Sequence, residues 1–206
     1  MAKGPFRLYG PALGGVPSKP EWQDEPMAQS ASGLQRHDFV QNVYEHSTDW
    51  QEVRSVADQL FAYLSDPKVA KLLGEANQPG QPSSAVQAIL LEKATKLEFR
   101  SEAKGLFTNY PTSGLRPDYF RPVGNTGIIL EVERGKTTTN NMDLLDFWKC
   151  HICTEASYLF LLVPNELRHN PDMNPKHEYK SVTKRLEAFF RPENYTNVRG
   201  LTVFGY

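Results

Sequence analysis

Apolar residues recur along this chain at two spacings, and the switches between them divide it into elements. From 37 to 77 the spacing is helical: Val53, Val56, Leu60, Phe61 and Leu64 make one buried stripe. Asp66-Pro67 interrupts the stretch, with Asp66 as a cap and Pro67 opening a short second helix to Gly74. A loop over 78–82 leads to Ser84, which with Gln87 three residues on has the form of a capping box. The following helix, 85–97, carries its core stripe on Val86, Ile89, Leu90, Ala94 and Leu97. Three short extended runs come next, at 103–107, 115–120 and 127–133, the last two separated by a turn-rich stretch from Pro122 to Gly127. Residues 140–154 return to helical spacing, with Leu145, Trp148 and Ile152 on one face. Tyr158–Val163 is continuously apolar, as in a strand buried on both faces. A loop over 164–175, an amphipathic helix over 176–190 and a last strand over 198–204 complete the chain.

From residue 85 the order is helix, three strands, helix, strand, helix, strand. It predicts an α/β core over 79–206, a mixed central sheet flanked by helices. A helical extension over 37–78 precedes it. Ahead of that, 1–36 reads as an arm in which Pro5, Pro11, Gly14-Gly15, Pro17, Pro20 and Pro26 oppose helix and central strand. The 206 residues suffice for a core without disulfides. Two cysteines, Cys150 and Cys153, are too few for a secreted disulfide scaffold, and no run reaches the length of a membrane span. The expectation is a cytoplasmic protein that does not enter membranes. A net charge of -1 leaves nucleic acid open, because phosphate contact depends on local clusters of basic residues.

The chemistry concentrates in LRPDYFRPVGNTGIILEVERGK, residues 115–136. Asp118 lies on one extended run and Glu131 and Glu133 on the next. Alternate residues of a strand share a face, so Glu131 and Glu133 point one way and Ile128, Leu130 and Val132 the other. An acid-x-acid pair on a strand usually marks a solvated edge. Here Asp118 adds a third carboxylate from a neighbouring strand, and close carboxylates repel unless a cation or a proton neutralises one. Oxygen ligands of this kind suit Mg2+ or Mn2+, ions that drive phosphodiester hydrolysis.

The order helix, strand, strand with Pro117-Asp118, strand with Glu131-Val132-Glu133, helix, strand resembles the PD-(D/E)XK phosphodiesterase superfamily, the restriction-endonuclease-like fold. The resemblance covers residues 84–163. It implies a metal-dependent DNA endonuclease, of restriction type, with Asp118 and Glu131 as metal ligands and products bearing a 5′-phosphate and a 3′-hydroxyl. The family usually has Lys where this chain has Glu133, and some restriction enzymes of the superfamily resemble it in having Glu there. Glu133 would then act as base or help hold a second metal. Lys136 is the candidate source of positive charge, since Arg134 points to the opposite face of an ideal strand. Glu92, on the helix before the strands, is a candidate further acid, weighed against a solvated helix charge.

Asn140, Asn141 and Lys149 decorate the helix after the acidic strand and are candidate DNA contacts, with helix capping by either Asn as the competing role. Trp148 reads as core. The resemblance also suggests a homodimer. A second reading, kept open by Glu133 in place of Lys, is a catalytically inactive nuclease-like module that binds DNA or a protein. A third, zinc held by Cys150, Cys153, His169 and His177, is weaker because both cysteines fall inside a helix.

Overall fold

A computed structural model describes residues 28–29 (backbone), 33–82, 84–101, 106–107, 110, 115–135, 137–168 and 174–206. Most of the 1–36 arm, residues 103–105 of the first extended run, Lys136 and His169 lie outside the described residues. The strands are β1 (Ala28–Gln29), β2 (Gln35–Val40), β3 (Arg100–Ser101), β4 (Tyr119–Val123), β5 (Thr126–Val132), β6 (Tyr158–Val163) and β7 (Gly200–Gly205). The helices are α1 (Thr48–Leu64), α2 (Pro67–Ala76), α3 (Ser84–Lys96), α4 (Met142–Ile152) and α5 (Glu178–Glu187). All the strands join one sheet in the order β1-β2-β7-β6-β5-β4-β3. β5, β6 and β7 are mutually parallel, and the remaining pairs are antiparallel. Parallel neighbours need a crossover, and α4 and α5 supply the two. The fold is α/β, a mixed sheet flanked by helices, and its element order is compatible with a nuclease-like fold.

The sheet separates two hydrophobic layers. Ile128, Leu130 and Val132 of β5, with Tyr158, Phe160 and Leu162 of β6, pack against Trp50, Val53, Val56, Leu60 and Leu64 of α1 and against α2 and α3. Ile129, Leu159, Leu161 and Val163 face Phe147 and Cys150 of α4 and Tyr179, Val182 and Leu186 of α5. β6 is therefore buried on both faces, as its unbroken apolar run predicts. Asp66 caps α2 by accepting from the backbone N–H groups of Lys68 and Val69, with Pro67 in the first turn.

Four expectations need correction. Leu106 and Phe107, expected to end the first extended run, form a turn, and the short strand β3 lies ahead of them. Residues 37–40 are not helical: they belong to β2, paired antiparallel with β7 through six residue pairs. The turn expected over Pro122 to Gly127 shrinks to Gly124-Asn125, because Val123 pairs with Thr126. Gly124 takes φ +50, as the first position of a tight hairpin turn requires. Pro122 is tolerated inside β4 because β3 pairs only with Tyr119 and Phe120, which leaves the rest of β4 as an edge. Finally, the outward face of α4 is the one expected to be core. Leu145 and Trp148 are exposed, while Asp143, Asp146, Phe147, Lys149 and Cys150 are buried.

Candidate active site

Glu131 and Glu133 stand at the end of β5 on the α4 side of the sheet. Glu131 is 3% exposed, so the picture of a solvated acidic edge fails at this position. Glu133 is half-buried; its N–H continues the ladder to Leu162 O at 2.8 Å, and its own carbonyl accepts from the Tyr206 hydroxyl at 3.0 Å. Asp118 immediately precedes β4, and the pairing of Tyr119 with Leu130 sets it opposite Glu131. The two acids interlock through the backbone. Asp118 N–H donates to Glu131 Oε2 at 3.2 Å, and Asp118 Oδ2 accepts from Val132 N–H at 2.9 Å. Asp118 Oδ1 accepts from Gln87 Nε2 of α3 at 2.8 Å. Gln87 thus reaches into the site instead of closing a capping box. The Tyr119 hydroxyl donates to Gln87 O at 3.0 Å, and burial, together with the Asp118 carboxylate, pushes the Tyr119 pKa up to about 12.

α4 contributes Asp146 and Lys149, one turn apart on the same side of the helix. Lys149 Nζ lies 2.6 Å from Glu131 Oε1 and 2.8 Å from Asp146 Oδ1. Among the described residues, Lys149 is the only basic group paired with either acid. Among the described residues the assembly therefore holds four carboxyl groups, Asp118, Glu131, Glu133 and Asp146, against one ammonium. Two like charges about 4 Å apart repel by about 4 kcal/mol at an effective dielectric of 20. The four cannot all stay ionised on one ammonium.

Titration behaviour reflects this. Burial, then Asp146, raises Glu131. Burial, then Asp146 and Glu131, raises Glu133 to about 9. Asp146 is raised by burial, against the pull of Lys149. Burial alone would lower Lys149; Glu131 and Asp146 outweigh it and hold the ammonium above its usual range. The donor set is hard oxygen, concentrated and short of positive charge, which fits a divalent cation such as Mg2+. Among the described residues no three of His, Cys, Asp and Glu are already arranged as ligands. Lys149 stands in their midst instead.

The other candidates fall elsewhere. Lys136 lies outside the described residues. Arg134 turns away from the acids and caps the end of α2, donating to Ala76 O at 2.9 Å and to Gln78 O. Glu92 is 80% exposed and paired with Lys96 at 2.6 Å, so it does not join the site. Asn140 and Asn141 are exposed, and Asn141 takes a left-handed φ of 56 at the start of α4 without a side-chain cap; its Oδ1 accepts from Arg185 at 2.6 Å. Lys149 is buried inside the acidic cluster. For zinc, Cys150 and Cys153 are buried free thiols, Cys150 with its pKa pushed up by burial, and His177 lies 3.3 Å from Glu166 at the surface.

The loop between β5 and α4 is fixed from α5. Buried Glu178 accepts from Thr138 N–H at 3.0 Å, and Arg185 donates to Thr138 O at 3.1 Å and lies 3.4 Å from buried Asp143. Sequence reasoning missed Gln87 and Asp146 and gave Lys149 another role. One signal was present: Asp143 and Asp146 recur at helical spacing with Phe147 and Cys150, so one face of α4 mixes acids with apolar residues.

Among the described residues no helix is long and apolar enough to cross a membrane. No protein-family model matches the chain, and comparison with curated proteins finds no match.

Proposed function

We propose that this chain is a metal-dependent DNA endonuclease of the PD-(D/E)XK type, hydrolysing phosphodiester bonds with restriction-type action. The observation that carries the reading is the convergence of Asp118, Glu131, Glu133 and Asp146 on one end of the sheet with, among the described residues, a single ammonium, Lys149. Asp118 and Glu131 would hold Mg2+ or Mn2+, which when bound supplies Lewis acidity toward the scissile phosphate and a water of lowered pKa. The chain's own groups do the rest. Val132 N–H and Gln87 orient the Asp118 carboxylate before any ligand arrives. Glu133 holds a proton near neutral pH because burial, Asp146 and Glu131 raise it. Neutralising Asp146 and Glu131 would lower that pKa toward a carboxylate able to accept a proton from water, against the burial that is the larger cause of the shift. Lys149 brings the positive charge from α4 that the family usually places on the strand.

A second reading has one observation in its favour. The contact of Lys149 with Glu131 is a closed ion pair, as a nuclease-like module that binds DNA or a protein without cleaving would have. Plasmid cleavage separates the two. With Mg2+ or Mn2+ the protein nicks or cuts, EDTA stops it, and Asp118→Ala and Glu131→Ala each lower the rate by about a thousandfold, the several kcal/mol that a catalytic metal supplies. Folded protein that binds DNA but fails to cleave it with either metal would move the assignment to the module.

A further inference from the structure

We propose that Lys149 is a built-in counter-ion that competes with a divalent cation for Glu131, so that loading the site exchanges one cation for another. The inference rests on the metal-site reading above. Of the two Glu131 oxygens, Oε2 already accepts the Asp118 N–H, so Oε1 is the oxygen left for a ligand. Lys149 Nζ stands on it at 2.6 Å. The lysine side chain is 10% exposed, and those of Glu131 and Asp146 are 4% and 1% exposed, so water screens none of these charges well. A divalent ion and an ammonium cannot both sit against one buried carboxylate oxygen.

The exchange has a route. Lys149 is also held by Asp146 Oδ1 at 2.8 Å, one turn back on α4. Lysine is a point charge on a flexible four-carbon stem, so Nζ can leave Glu131 while keeping Asp146. Asp146 then acts as a parking place that keeps the ammonium within the cluster. The displaced charge is available to a phosphate oxygen of the substrate, which a lysine fixed permanently on Glu131 would not be.

Manganese binding to the full chain tests this apart from activity. Isothermal titration with Mn2+ compares the unaltered protein with Lys149→Met and Lys149→Arg. Removing the competing ammonium tightens Mn2+ binding about tenfold to a hundredfold in Lys149→Met, and Lys149→Arg, which keeps the charge, stays near the unaltered value. Cleavage falls in Lys149→Met in spite of the tighter binding. If Lys149→Met folds only when Mn2+ is added, that rescue is the same exchange read through stability, and a variant that Mn2+ does not rescue overturns the inference. Measurable binding by the unaltered protein with equal or weaker binding in Lys149→Met overturns the inference while the nuclease reading stands. No Mn2+ binding by the unaltered protein removes both.

Discussion

Arg36 on β2 and Lys149 on α4 are both buried cations set between two carboxylates, and the contrast between them separates a structural charge cluster from a candidate functional one. Arg36 contacts Asp38 through Nε at 3.1 Å and a terminal nitrogen at 2.8 Å, and Asp58 at 2.5 Å. Thr202 adds a hydrogen bond to Asp38 at 2.7 Å. There the acids keep their water: Asp58 is 68% exposed and Asp38 27%. Around Lys149 the burial is reversed, with the carboxylates more enclosed than the ammonium. Two further acids, Asp118 and Glu133, lie close enough to repel the same carboxylates. A guanidinium clamped in a fork holds two strand and helix positions together. An ammonium outnumbered by enclosed carboxylates leaves a site short of positive charge, the kind of imbalance that perturbed titration at functional sites reflects.

Removing the two cations should therefore have unequal effects. Lys149→Met strands Glu131 and Asp146 away from water and should lower stability by about 3–5 kcal/mol, the usual result of breaking a buried pair from one side. Arg36→Met leaves acids that solvent can reach and should cost about 1–2 kcal/mol. Urea unfolding in EDTA measures both, and equal losses would erase the distinction drawn here.

The pH dependence of stability sharpens the contrast next. Glu133 has its pKa raised in the folded state, so between about 4.5 and about 9 the folded chain holds a proton that the unfolded chain releases. Stability in EDTA should fall as pH rises through that window, by at most about 1.4 kcal/mol per unit for this group. Glu133→Gln should flatten the slope. A slope unchanged in that variant would show that Glu133 does not hold the proton.

The smallest effect belongs to Gln87→Ala. Gln87 acts on Asp118 through one hydrogen bond, so the variant should keep its melting temperature within a few degrees and lose about tenfold in cleavage rate, as for other residues that orient a ligand. A variant cleaving at the full rate would remove Gln87 from the site.

How far the sequence revealed these features depended on whether burial followed polarity. Tyr158–Val163 was legible because a strand enclosed on both faces has no polar position to hide. Asp118, Glu131 and Glu133 were legible because strand alternation places them without knowledge of the rest. α4 was not, since Asp143, Asp146 and Lys149 lie inside while Leu145 and Trp148 lie outside, the inverse of the rule that assigns helix faces. Gln87 imitated a local cap while bonding to a residue 31 positions away. β2 was missed because its short run takes its conformation from β7, far along the chain.

That last pairing bears on how the molecule is made. Asp38 and Thr202 meet across 164 positions, and the register from Gln35–Gly205 to Val40–Gly200 joins early chain to late. At synthesis rates of roughly 5–20 residues per second, β2 leaves the ribosome roughly ten to thirty seconds before its partner exists. During that interval α1 and α2 have neither β6 nor β7 to cover, and their apolar faces are surfaces that a chaperone can grip. The sheet closes at the β2–β7 seam only once β7 has been made, so a chain truncated before β7 would carry its acidic residues yet lack the strand that pairs with β2.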